Sequence, residues 1–540
     1  MIRSRDAPYE EGVADTPSRR MNKPHVKSAL SDALAQILTD ARTAPMLVAS
    51  LFFASVALYW HGFGPGDPER YVRAALDWVE KGFNLGETHW SLRLPIVLPI
   101  AGAFSILGVN EFAATLPNIL YAGGLVAVTH FFMRRYVGPL EGTIAAAFIA
   151  TSAFFVARPI ELDGYGAEAF YVAAACWLYV ASMAEKRRCV LLFAAGFASG
   201  FAWLVREQTL YLMLAFGTLT LVSRKDVARA LFALGCGFGL VIAAELVFYA
   251  IASGDPLYRY KIDVNHRTIG RVITIEGDDA SLVNRLVRPI KDLFTYPTTT
   301  PFLALAAIAM AGLGWRTARE PEGRRRAFTT FFVTAAIAVP VCAYAFNLAL
   351  PRYYSILTYA IFLVLALATA EIARRKGALP ALGFAALVTF LNLAAADFSR
   401  YGEYAEARHL AKIAAQSAET IETDPLTASR ARYQLVLRGF SLREASSRIA
   451  MAERPTVGAL YFKSHVVARR RPHWCAIEVA DVRPFNWTHY LIRKSGLSRI
   501  AGAKIRSVVA DPAPVALVRV LDAPAASDPV TGRACLDPEQ

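Results

Sequence analysis

The chain has 540 residues, 55% of them hydrophobic, and a formal net charge of +14. Its mean hydropathy is positive, and several apolar stretches are long enough to cross about 30 Å of hydrocarbon, which excludes a water-soluble globular enzyme. The surplus of Lys and Arg invites a nucleic-acid reading, but the basic residues fall in short clusters between apolar runs, so the charge reads as membrane topology instead.

Residues 1–44 are polar and read as a disordered or partly helical tail. No secretory signal peptide is evident, and the first apolar run, from near Pro45, reads as an uncleaved signal anchor. Apolar segments follow at 45–62, 112–133, 139–157, 165–184, 188–205, 208–223, 229–251, 298–315, 327–346, 353–373 and 378–396. The stretch from Arg93 to Gly108 is short, carries Pro95, Pro99 and Gly102, and fits the interface better than a crossing. If it does not cross, the clusters Arg19–Lys27, Arg134–Arg135, Lys186–Arg188, Arg224–Lys225, Arg324–Arg326 and Arg374–Lys376 all share one side. The expectation is about eleven spans, with a cytoplasmic N-terminus and an external C-terminus.

Two external loops, 63–110 and 254–297, are too long for plain connectors. In the first, Asp67 reads as an N-cap with Pro68 at the first helical position. Val72, Leu76 and Val79 then form an apolar stripe opposite Arg73, Asp77, Glu80 and Lys81, which predicts an amphipathic helix on the membrane surface. The second loop carries Asp255, Tyr258, Tyr260, Lys261, Asp263, His266, Arg267 and Arg271. From about Asp397 the composition becomes that of a soluble domain. Helical stretches at 403–420, 426–438 and 441–451 and β-like runs at 459–462, 475–479 and 515–520 predict a small α/β domain over 397–540.

Cys176, Cys189, Cys236 and Cys342 lie in or beside spans and read as small core residues. Cys475 and Cys535 fall in the external tail, where an oxidising compartment allows them to pair; the sequence leaves that open. No Cys or His spacing matches a zinc or haem site. Gly196-Phe-Ala-Ser-Gly200 and Gly235-Cys-Gly-Phe-Gly239 read as close helix contacts.

The residues suited to chemistry gather at the external ends of different spans: Asp67, Arg70 and Tyr71, then His89 and Arg93, Arg158 and Asp163, Arg206, and Arg352 with Tyr353. Arginines converging with carboxylates on one face suit a phosphate-bearing substrate, because guanidinium binds phosphate bidentately and keeps its charge. Each residue also has a plainer reading. Asp67 could serve as a cap, Arg158 and Asp163 as a mutual pair, Arg206 as a helix terminator, Arg352 and Tyr353 as interface anchors, and His89 as another anchor.

Asp67-Pro-Glu-Arg70-Tyr71 resembles the Asp-Glu-x-Arg-Tyr motif of GT-C glycosyltransferases, the class that includes protein O-mannosyltransferases and bacterial lipid A aminoarabinose transferases. His89-Trp-Ser-Leu-Arg93-Leu-Pro95 is similar to their His-Phe-x-x-Lys-Pro-Pro stretch, and Gly108-Val-Asn-Glu111-Phe-Ala-Ala-Thr-Leu-Pro117 to Gly-Val-x-Glu-x-x-x-Arg-Leu-Pro. Arg158-Pro-Ile-Glu-Leu-Asp163 fits the Arg-x-x-x-x-Asp turn, Arg206-Glu207 a common Lys-Glu, and Arg352-Tyr353 the Arg-Tyr before a late span. The motifs keep the family order over about residues 45–375. Pro68 stands where a second acid is usual, Arg93 replaces Lys, and Thr115 replaces Arg.

The resemblance implies a GT-C-like polytopic α-helical membrane protein with interfacial helices and a small extracytoplasmic α/β domain. It implies a multi-pass protein of the bacterial inner membrane, with its C-terminal domain in the periplasm. The implied reaction moves a sugar from a polyprenyl-phosphate carrier to a hydroxyl of a glycan, lipid or protein acceptor, in a single inverting displacement. A hydroxyl needs a base as it attacks, and Asp67 is the candidate. Arg158, Arg206 or Arg352 would stabilise the leaving phosphate. Asp163 stays open between orienting an arginine, binding acceptor and holding a divalent cation. A transporter or flippase of lipid-linked glycans, or a non-catalytic assembly subunit, is the alternative. Transport folds tend to show internal repeats and mid-membrane charges, and no repeat is evident.

Overall fold

The structure is a computed structural model that describes residues 36–60, 67–162, 164–223, 226–269, 287, 291, 299–313, 322–346, 353–398, 403–464, 474–482, 485–496, 514–523, 526–532 and 534–535. A helix stands at each of the expected apolar segments. These are α1 (Thr43–Tyr59), α4 (Glu111–Tyr136), α5 (Pro139–Ala150), α6 (Tyr165–Ala184), α7 (Arg188–Val205), α8 (Tyr211–Ser223), α9 (Val227–Ser253), α11 (Thr300–Leu313), α12 (Glu322–Pro340), α13 (Ser355–Lys376) and α14 (Ala378–Phe398). Between them lie α2 (Pro68–Lys81), α3 (Leu94–Leu107) and α10 (Tyr258–Ile269). Among the described residues, seven helices are long and apolar enough to cross a membrane by themselves, and the bent pair Pro139–Ala150 and Ala153–Ile160 makes up to eight. Helix α3, with 14 residues, is about 21 Å long and belongs with Thr43–Tyr59 and Thr300–Met310 among the shorter apolar helices.

The pair bends by 58° at Thr151 and Ser152. A break in a helix frees carbonyls, and here they find partners. Tyr59 donates to the Thr151 carbonyl at 2.7 Å, and Asn392 donates to that of Phe148 at 3.3 Å. The Ser152 hydroxyl accepts from the amides of Phe154 and Phe155, restarting the chain as a π turn. After the bend the chain runs on into the short helix Arg158–Ile160.

Helix α13 forms the centre, 78% of its apolar window buried, whereas α14 is 22% buried and lies at the periphery. Around α13, Tyr359 ties three helices together: its hydroxyl lies 2.7 Å from that of Thr129 and accepts from Trp177 Nε1 at 2.8 Å. The first small-residue stretch packs as expected, whereas in the second only Gly237, not Gly235 or Gly239, meets another helix. A side chain on Gly196 would run into the Leu234 carbonyl, and one on Gly237 into that of Phe193, so α7 and α9 meet backbone to backbone.

Among the described residues, three of the basic clusters meet at one end of the bundle. Glu141 pairs with Arg324 at 2.7 Å and with Arg374, while Arg135 pairs with Glu185 at 2.6 Å.

After α14 come α15 (Glu403–Gln416), β1 (Ile421–Thr423), α16 (Pro425–Val436), α17 (Leu442–Arg448), β2 (Ile449–Met451), β3 (Leu460–Lys463), β4 (Trp474–Ala480), α18 (Trp487–Lys494) and β5 (Val515–Val520). They form a five-stranded sheet of order β2-β1-β3-β5-β4. Strand β1 is parallel to β2 and β3, and β5 runs antiparallel to β3 and β4. The helical readings of 403–420 and 441–451 each run a few residues too far. Residues 417–420 form a turn leading into β1, and the tail 449–451 becomes β2, Ile449 pairing with Ile421. Cys475 and Cys535 form a disulfide, tying β4 to the end of the chain.

Helix α2 corrects the surface-helix expectation. Its Tyr71, Val72 and Ala75 share one apolar core with Ile96, Val97 and Ile100 of α3 and with Tyr404, Ala407, Leu410 and Ala411 of α15. Polar ties join the same layers, for Arg408 pairs with Glu111 and Arg73 hydrogen-bonds Tyr433. The helix therefore lies between the bundle and the α/β region; of the predicted stripe, Val79 remains exposed.

Candidate active site

The site lies where α2, α3, α6, α7, α10 and the start of α13 converge. Asp67 precedes α2, and Pro68 sets the first helical φ. The Asp67 backbone carbonyl accepts from Arg70 N at 3.0 Å, but its side chain makes no capping hydrogen bond. One turn on, fully buried Tyr71 accepts through its hydroxyl from Arg93 Nη1 at 2.5 Å. Burial pushes the Tyr71 phenol up; Arg93 opposes this and Asp67 adds to it. Burial alone would lower Arg93, yet Tyr71, Glu207 and Asp67 outweigh it and its pKa is held above the ordinary value. Asp67, Tyr71 and Arg93 thus act on one another electrostatically.

Arg206 reaches the same spot from the end of α7. A β-carbon on Gly164 would lie 3.3 Å from the Tyr71 hydroxyl and 3.9 Å from Arg206 Nε, so this glycine lets the Tyr71–Arg93 pair and Arg206 approach. Arg206 is buried, 3.3 Å from the Glu168 carboxylate, with its guanidinium 3.8 Å from the Tyr165 ring centre and 5.4 Å from that of Tyr353. The second Glu168 oxygen accepts from Ser355 at 3.0 Å. Between α6 and the bend, buried Leu162 holds φ at +62°, a left-handed conformation costly for leucine and of the kind that collects at functional sites.

Next to Arg206, Glu207 joins a second buried network. Arg259 of α10 binds Glu207 at 2.6 Å, Glu245 of α9 at 2.6 Å and Asp263 at 3.5 Å, and donates to the Trp203 carbonyl at 3.1 Å. Burial works against ionisation of Glu207, but Arg259 and then Arg93 outweigh it and hold its carboxyl down. Burial, then the Glu207 charge, pushes Asp263 up to about 7 against the pull of Arg259. The network joins Arg93, hence Tyr71 and Asp67, to a charged scaffold behind them.

Of the residues picked from sequence, the structure brings together Asp67, Tyr71, Arg93, Arg206 and Tyr353. Arg158 is half-buried at the turn after the bend. Arg70 and His89 stand apart from the buried group: exposed Arg70 stacks 3.5 Å above the Trp90 ring, and His89 packs on the same Trp90. Asp163 and Arg352 lie outside the described residues. Sequence reasoning missed Glu168, Glu245 and Arg259. The signal for the first two was present, since a carboxylate inside an apolar helix demands a partner. Arg259 lies in the second external loop, whose many charges give it no distinguishing mark in the sequence. Among the described residues no group of three or more His, Cys, Asp or Glu could hold a metal ion.

Residues 94–249 match the family model for dolichyl-phosphate-mannose-protein mannosyltransferases. No curated protein sequence gives a significant match. Among solved structures, ArnT from Cupriavidus metallidurans bound to undecaprenyl phosphate is similar with a TM-score of 0.53 at 12% identity, over 85% of this chain and 97% of that one. The apo ArnT structure gives 0.51 at 12% identity, over 84% and 97%. The Archaeoglobus fulgidus oligosaccharyltransferase aligns at 0.48 and 12% identity over 72% of this chain, which spans 61% of that protein's length. The chain has the fold of a GT-C membrane glycosyltransferase.

Proposed function

We propose that the chain is a glycosyltransferase that moves a sugar from a polyprenyl-phosphate donor to an acceptor hydroxyl on the extracytoplasmic face, with Asp67 as general base. The observation that carries this is the Asp67 carboxylate. It stands at the head of a helix without capping it, beside the buried Tyr71–Arg93 pair and Arg206. The fold shared with an ArnT bound to undecaprenyl phosphate supports the lipid-phosphate donor. In the step, the acceptor oxygen bonds to the anomeric carbon while its proton passes to Asp67. The bond to the phosphate oxygen breaks on the opposite side of that carbon, and its electron pair leaves with the phosphate, giving inversion. Arg206 and Arg93 meet the charge that develops there. Glu168, Ser355 and the Arg259 network hold these arginines in place. Arg158 and Tyr353 suit the surroundings of the donor phosphate, a role that the motif resemblance extends to Asp163 and Arg352, while Arg70 and His89, on Trp90, suit the rim where acceptor enters.

Two observations support the orientation. Among the described residues, Arg135, Arg324 and Arg374 share the end of the bundle opposite this site, as basic residues of cytoplasmic loops do. The Cys475–Cys535 disulfide suits an oxidising compartment such as the periplasm of a bacterial inner-membrane protein. The test compares lipid-linked sugars and surface glycans by mass in wild type, a deletion, and Asp67→Asn at equal expression. The expected result is that Asp67→Asn reproduces the deletion's loss of one sugar while the donor lipid persists. A mutant indistinguishable from wild type, beside a deletion that loses the sugar, would sink the base and bring the transport reading forward.

A further inference from the structure

Helix α18 has a lopsided surface that the reaction does not use. Trp487, Tyr490, Leu491 and Lys494 lie three or four residues apart and so share one face. Tyr490 is 42% and Leu491 51% exposed, and Phe485, just before the helix and with its ring 5.9 Å from that of Tyr490, is 70% exposed. The last turn carries Arg493 and Lys494.

The place of this helix is fixed by α14. Asp397, near the end of α14, accepts from the Thr488 amide at 2.8 Å through its carboxylate and from the Asn486 side chain at 2.6 Å through its carbonyl. Asn486 in turn accepts from His489 N, so both partners satisfy the first amides of α18. The Trp487 ring then packs 5.7 Å from that of Phe390. Phe390 is 53% exposed on a peripheral helix and lies eight residues, about 12 Å, short of the end of α14 at Phe398. Helix α14 is itself a membrane-crossing helix by length and composition, mostly unburied by protein. A residue two turns inside its end, on its exposed flank, faces lipid.

We propose that α18 is an interfacial helix that seats the C-terminal α/β region in the lipid leaflet. Phe485, Trp487, Tyr490 and Leu491 enter the boundary between headgroups and acyl chains beside α14, and Arg493 and Lys494 sit at the level of the lipid phosphates. Aromatic and aliphatic side chains backed by basic residues are the composition that such a boundary selects. The occupant is lipid because the stripe continues the exposed flank of α14 without a break.

The test uses the full chain, one copy per lipid nanodisc, with Cys189→Ala and Cys236→Ala removing the accessible native thiols. Leu491→Cys carries a bimane label, and Leu442→Cys, exposed on α17 elsewhere in the same region, serves as control. With lipids bearing a nitroxide high on the acyl chain, the label at 491 should lose most of its emission and resist a water-soluble quencher. The label at 442 should behave the opposite way. A label at 491 as open to the aqueous quencher as that at 442 would overturn the proposal. So would a label shielded from both quenchers, which would mean that protein covers the stripe.

Discussion

Replacing Arg259 with methionine tests whether the network behind the site is held by charge. Arg259 is 1% exposed and binds Glu207 and Glu245 at 2.6 Å, with Asp263 at 3.5 Å. Arg259→Met leaves these carboxylates buried without their shared cation, Glu245 within an apolar helix. Removing one partner of a buried pair costs about 3–5 kcal/mol, a large part of the roughly 5–15 kcal/mol that holds a domain folded. Neutral replacement of the whole group is far cheaper, because no uncompensated charge remains. Arg259→Met combined with Glu207→Gln and Glu245→Gln should therefore recover most of the loss. Detergent-titrated unfolding in mixed micelles measures both variants. A single variant costing under about 1 kcal/mol, or a triple variant as unstable as the single, would refute the reasoning.

Asp67→Asn should lower turnover about 10²–10⁴-fold in a donor-to-acceptor transfer assay, the share of a general base, while stability changes by under about 0.5 kcal/mol because no capping bond is lost. A marked stability loss would restore the cap reading. Asp263, pushed from 3.8 up to about 7, keeps its proton in the folded state while the unfolded chain gives it up. Its contribution to stability therefore falls as pH rises from about 4 to about 7 and levels off above. Asp263→Asn should flatten that fall in unfolding measured across the pH range. Gly164→Ala puts a methyl 2.9 Å from Ile96 and 3.3 Å from the Tyr71 hydroxyl, so activity should drop with a stability cost of about 1–3 kcal/mol. Removing the Cys475–Cys535 disulfide by Cys475→Ala and Cys535→Ala should destabilise the α/β region by about 2–4 kcal/mol, measured by thermal unfolding with and without reductant.

Much of the helical layer was legible because each apolar run carries its own signal, whatever its neighbours do. Asp67, Tyr71, Arg93 and Arg206 were legible through spacing and resemblance. What failed to show was partnership across distance. Nothing near Glu168 announces Arg206 or Ser355, and nothing near Arg259 announces Glu245 on another helix. The stripe of Val72 and Leu76 revealed that α2 has an apolar face, but alternation along one helix cannot reveal a second layer above it. Strands β1 and β2 have three residues each, too few for any period to register, and exist because they pair with one another.

The layered seat of α2 bears on how the chain can be divided. Cutting after α14 would strip Tyr404, Ala407 and Leu410 from the core they share with Tyr71 and Val72, and would release Arg73 and Glu111 from Tyr433 and Arg408. The membrane portion alone would then present a sticky, partly charged flank along α2. Chimeras that exchange acceptor preference should move residues 67–107 and the α/β region together, as one inheritable module, because neither half keeps its shape without the other.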